Sequence, residues 1–179
     1  MTNARATLRL ETRAEHARVD AAFSRYDLSS GEGYLRFLRR QAAAHLPVER
    51  ALDAGGAARL VPDWAERGRA PLIRADLADL GCSDVVEMPF DGLASDPELL
   101  GGAYVLEGSR LGGALLQREV KPGLPTRFLG QGSSSGWRAL LTVLETKLRS
   151  PEEIAAAVKG ARAVFACFEA AAGREVEMH

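Results

Sequence analysis

The chain has 179 residues, a length that one hydrophobic core commonly organises, so a single domain over 1–179 is expected. Apolar residues make up 46% and charged residues 26%, which excludes collagen-like, low-complexity and disordered classes. Lys and Arg number 23 against 24 acids; the basic excess of a dedicated nucleic-acid binder is missing, and no nucleic-acid partner is expected.

Cys82 and Cys167 show neither metal-ligand spacing nor a disulfide framework, a usage that fits a reducing cytosol. The stretch Met1 to Arg9 lacks the apolar core of a signal peptide, and no run approaches the ~20 apolar residues of a membrane span. A cytoplasmic protein without a membrane partner is the expectation. Aromatic content of 6% beside abundant Ala, Leu and Arg favours helices. The predicted fold is therefore an all-α, single-domain helical bundle.

From Thr7 to Tyr26, Leu8, Val19, Phe23 and Tyr26 fall on helical spacing among several arginines and predict one amphipathic helix. Ser29 or Ser30 is a candidate N-cap for a second helix reaching about Leu52, with Tyr34, Phe37, Leu38, Ala42, His45 and Leu46 on its apolar stripe. Its interior Pro47 predicts a kink or an interruption. Gly55-Gly56 and Pro62-Asp63 mark a break, and Pro71 opens a helical piece that ends by Gly81. Residues 83–97 show no period and read as a loop.

Leu99 to Val120 is apolar enough for a buried helix, yet it carries Gly101, Gly102, Gly108, Gly112 and Gly113. Residues 121–136 read as a long loop, and helical spacing resumes over Trp137 to Leu148. Ser150-Pro151-Glu152-Glu153 is a helix start with a capping box, followed by a last helix through Ile154, Val158, Phe165 and Phe168.

Each interior glycine costs a helix roughly 0.5–1 kcal/mol relative to alanine, so Gly108, Gly112 and Gly113 need a reason. At 100° per residue Tyr104, Gly108 and Gly112 share a face, leaving a strip of bare backbone that a planar cofactor could approach. Close helix packing, or a turn at Gly112-Gly113, would explain the same residues. His16 lies near the apolar stripe of the first helix and is expected to face inward, either as a ligand or as a hydrogen-bonded core residue. Asp20 at i+4 can reach one imidazole nitrogen, and Arg9, two turns earlier, can meet an anionic group on a ligand held by His16.

Thr12-Arg13-Ala14-Glu15-His16, together with Tyr104-Val105-Leu106-Glu107-Gly108-Ser109-Arg110-Leu111-Gly112, resembles the biliverdin-producing heme oxygenases, especially the short bacterial forms. The resemblance implies heme held between a first helix and a glycine-kinked second one. His16 is then the axial ligand of the heme iron, and Asp20 the carboxylate that orients it. Arg9 and Tyr104 match heme-propionate contacts, with Arg138 a further partner of the propionates. Gly108, Ser109 and Gly112 match the catalytic segment whose backbone crowds the reacting oxygen.

The implied reaction opens heme, both substrate and cofactor, to biliverdin, with release of carbon monoxide and iron. It consumes molecular oxygen and electrons from an external reductase, and a bilin-accepting photoreceptor is a candidate recipient of the product. Neutral imidazole suits this task because it lacks the electron push of a thiolate.

Arg110 departs from relatives that carry asparagine; helical spacing turns it about 200° from Gly108 and so away from heme. Ser109 stands where mammalian forms use aspartate. Arg36, Arg39 and Arg40 are either a docking face for an acidic reductase or a solvated surface. Two other readings stay open at this level: a heme-handling protein of the same fold without ring opening, and a helical interaction protein in which the glycine strip packs on a helix.

Overall fold

The Asn3 side chain accepts the Ala6 amide at 3.0 Å, which caps helix α1, Ala4–Glu11. The computed structural model describes residues 3–174; Met1, Thr2 and residues 175–179 of the expected domain lie outside the described residues. Among those described, every regular element is helical.

The single first helix expected over Thr7 to Tyr26 is two. Helix α2 spans Arg13–Ser24, and Thr12 between them leaves helical geometry at φ −108°, ψ 7°. The Thr12 hydroxyl donates to the Leu8 carbonyl at 2.6 Å, and that acceptor also takes the Thr12 amide. Such back-bonding by a β-branched residue competes with continuation of the helix.

Helix α3, Gly31–Gly55, starts where Ser30 Oγ accepts the Gly33 amide at 2.9 Å and stops at Gly56, whose φ of +90° suits glycine. The interruption expected at Pro47 does not occur, because α3 runs unbroken across it. Proline leaves the carbonyl four residues back without its helical donor. Here that carbonyl, Ala43, accepts the amide of Met88 at 2.8 Å. The irregular segment after Cys82 is thereby tied to the middle of α3.

Short α4, Trp64–Arg67, and α5, Ala70–Asp79, follow, with Pro71 in the first turn of α5 as its chemistry requires. Helix α6, Asp96–Leu116, is capped by Ser95 and passes through all of its glycines without a turn at Gly112-Gly113. A 3-10 turn over Gln117–Glu119 ends it. Helix α7, Ser134–Lys147, begins three residues before Trp137, because Ser133 Oγ takes the Gly136 amide at 3.1 Å. Helix α8, Pro151–Gly173, has the predicted capping box, with Ser150 and Glu153 each bonding the other's backbone amide.

The core is centred on α8. Its buried Ala157, Ala161, Val164, Phe165 and Phe168 receive α6, α3, α2 and α1, whereas α2 and α6 share no comparable packing. Both lean on α8. No helix among the described residues is long and apolar enough to cross a membrane.

Candidate functional site

The glycines of α6 divide into two groups according to what a methyl group would meet. At Gly101 an added Cβ would lie 1.9 Å from the Ala157 carbonyl of α8, and at Gly160 on α8 it would lie 2.2 Å from the Glu98 carbonyl. These two positions let the backbones of α6 and α8 touch. Gly102 faces Leu93 and Leu52, and Gly113 faces the Leu129 carbonyl at 3.2 Å.

Gly108 and Gly112 are different. A Cβ at Gly108 would make ordinary contact with Trp137 at 3.7 Å, and one at Gly112 would meet nothing within 4 Å. The chain's own packing explains glycine at 101, 102, 113 and 160 and leaves it unexplained at 108 and 112. The same face continues into Leu111 and Leu115, exposed apolar side chains, and Leu115 is 66% accessible. An uninterrupted apolar face with bare backbone at its centre fits a large flat apolar ligand such as heme.

His16 does not face inward as expected: its side chain is 63% exposed on α2. Phe23, seven residues on and on the same face, is buried. The face is covered at Phe23 and largely uncovered at His16, and the break at Thr12 separates His16 from the helix that carries the buried Leu8. The imidazole stacks on Phe165 of α8, centroids 5.6 Å apart, and Asp20 Oδ2 approaches Nε2 at 3.4 Å. A carboxylate beside an accessible imidazole can orient the ring, and imidazole is a donor that heme iron accepts.

Tyr104 is half-buried on α6, its ring 5.5 Å from that of Trp137. Burial raises its phenol pKa, and the positive charges of Arg9 and Arg5 oppose that shift, so α1 brings both arginines near the end of the glycine face. Exposed Arg138 lines a groove of about 520 Å³ between α1 and α7 with Asn3 and Arg5. Arg9, Arg5 and Arg138 thus share one rim of the bundle. Ser109 is half-buried beside Gly108. Arg110 turns to Glu107, Nε to Oε2 at 3.2 Å, and donates to the Arg67 carbonyl.

Sequence reasoning missed the polar cluster behind α6. His45 and Glu49, four apart on the buried stripe of α3, bond at 3.1 Å, and Glu49 also accepts the amides of Arg69 at 2.6 Å and Ala70 at 3.0 Å. Burial drives the His45 pKa down to about 4 against the pull of Glu49, so the ring is neutral at pH 7. Burial pushes Glu49 up, but the bonds from His45 and the two amides hold it below the usual carboxylate range. A carboxylate only accepts, so His45 carries its proton on Nε2 and presents Nδ1 as an acceptor without a partner among the described residues.

Arg69, fully buried, lies 4.6 Å over the Phe128 ring and donates to the Leu106 carbonyl of α6 at 2.9 Å. Burial and the neighbouring Arg110 lower its pKa to about 10. The one sequence signal that could have found this cluster is the i, i+4 pair of His45 and Glu49 inside an apolar run.

No family model matches the chain. It is 37% identical over 112 residues to a heme oxygenase of Xanthomonas campestris pv. campestris, covering 59% of this chain and 67% of that one. It is 31% identical over 169 residues to heme oxygenase PigA of Pseudomonas aeruginosa, covering 88% and 85%. Its backbone matches the heme oxygenase of Neisseria meningitidis, solved with NO and CO bound, at a TM-score of 0.82 and 26% identity over 99% and 96% of the two chains. Similarity to named enzymes along most of the sequence, and to a solved one along nearly all of the backbone, places the chain: it belongs to the heme oxygenase family.

Proposed function

We propose that this heme oxygenase holds heme between the His16 side of α2 and the Gly108–Gly112 face of α6 and opens it to biliverdin, carbon monoxide and iron. Heme is the substrate, and it supplies both the iron at which oxygen is reduced and the porphyrin edge that is oxidised. The observation that carries the assignment is the pair of α6 glycines that no packing within the chain requires.

His16 would supply an imidazole nitrogen to the heme iron, and Asp20 would orient the ring. Arg9 and Tyr104 hold one propionate carboxylate, and Arg138 meets the other from α7. Bare backbone at Gly108 and Gly112 lets the porphyrin approach α6 closely and puts no side chain at those two positions to assist O–O cleavage, while Ser109 supplies mild hydrogen bonding. Electrons come from an external reductase, with Arg36, Arg39 and Arg40 as its docking face. The reaction runs in the cytoplasm, and the product suits a bilin-accepting photoreceptor.

The test is reconstitution with hemin, followed by oxygen and a reductant with catalase present. A stoichiometric Soret band should form and decay as biliverdin absorbance grows. His16→Ala should change the heme spectrum and abolish turnover while leaving the melting temperature of the heme-free protein within about 2 °C, because the side chain is exposed. A Soret band that survives reduction with every donor tried would make the chain a heme-handling protein, and absence of any heme band would remove heme altogether.

A further inference from the structure

Trp137 lies across the glycine face, yet it belongs to α7, whose first turn is serine-rich and exposed. What holds that turn against α6 is ionic. Glu107, buried on α6, accepts a hydrogen bond from Arg67 Nη1 at 2.7 Å and one from Arg110 Nη2 at 3.4 Å. The second terminal nitrogen of Arg67 donates to the Gly136 carbonyl at 3.0 Å, one residue before Trp137. Arg110 donates in turn to the carbonyl of Arg67, so the arginine that reaches α7 is itself fixed at its backbone and at its charge. Both arginines are only 11% exposed. A planar guanidinium is the side chain that can bond a carboxylate and a carbonyl at once in a fixed direction.

We propose that Arg67 is a positioning residue for the reaction: through the Gly136 carbonyl it seats Trp137 over Gly108, and so sets the depth of the heme-facing wall. This rests on the reading of the α6 glycine face as the heme wall. It assigns a purpose to Arg67, Glu107 and Arg110 as a unit and places the control of the wall outside it.

The chain has two tryptophans, so protein labelled with 5-fluorotryptophan gives two fluorine resonances, one from Trp137 and one from Trp64, which opens the same short helix as Arg67 but is anchored by its own bond to Asp53. In heme-free Arg67→Gln the Trp137 resonance should shift and broaden, and by more than that of Trp64. In the hemin complex, azide affinity should change about tenfold, with hemin affinity changed less than about threefold. Arg67→Lys keeps a charge beside Glu107 without the forked reach to Gly136, and should behave as Arg67→Gln does.

Wild-type behaviour of Arg67→Lys, or an unmoved Trp137 resonance in Arg67→Gln, would overturn the proposal. Should Arg67→Gln not fold, the lysine variant decides alone. In wild type, paramagnetic hemin should broaden the Trp137 resonance far more than that of Trp64. If it leaves Trp137 untouched, the heme wall itself is misassigned, a failure distinct from that of Arg67.

Discussion

The two halves of α6 use glycine for opposite ends. In the first half Gly101, with Gly160 of α8 across from it, removes side chains so that two backbones can meet. In the second half Gly108 and Gly112 remove side chains where nothing of the chain's own comes close enough to need it. The first half is closed against α8 and the second is open at Gly112. Glycine content alone does not distinguish them; the identity of the opposing atom does.

The largest expected effect lies in the closed half. Gly160→Ala drives a methyl into the Glu98 backbone, which cannot move as a flexible side chain can. It should cost about 3 kcal/mol or more, or prevent folding, as read by urea denaturation. A loss under 1 kcal/mol would mean the α6–α8 contact is looser than its geometry.

Next comes the polar cluster that shores up the middle of α6. His45 has a folded pKa of about 4, below the ordinary 6.5. As pH falls the unfolded chain takes the proton first, so the stability present above 6.5 is lost progressively toward 4. The loss attributable to this group is roughly 2–3 kcal/mol. His45→Gln, which keeps a donor for Glu49, should flatten that part of the pH–stability curve; an unchanged slope would show that other groups carry it.

The smallest expected change in stability is in the open half. Gly112→Ala should leave the heme-free protein as stable or firmer by about 0.5–1 kcal/mol, the helix propensity gained. The same variant should bind hemin more weakly. Destabilisation of the heme-free protein would place Gly112 with Gly101 and dissolve the distinction.

Much of this architecture is legible in local chemistry. Ser150 and Glu153 announce α8, Pro71 opens α5, and Ser30 caps α3, because capping depends on neighbours a few residues away. The break at Thr12 is not legible, since a threonine hydroxyl bonds back in some helices and only flanks others. Continuity across Pro47 is hidden for a different reason: the compensating donor, the Met88 amide, comes from a segment without any period. At the site, His16, Asp20, Tyr104 and the glycines stand out by spacing. Trp137, Arg67 and Glu107 do not, because only the fold brings α4, α6 and the first turn of α7 together.

The bond between Ala43 and Met88 also has a kinetic meaning. Met88 sits in a stretch with no regular structure, where amides ordinarily exchange with solvent almost freely. Its proton, however, is held by a carbonyl in the buried centre of α3. Its exchange should therefore follow cooperative opening of that helix, not fraying of the loop, and one slow amide among fast neighbours becomes an internal clock for unfolding of the bundle.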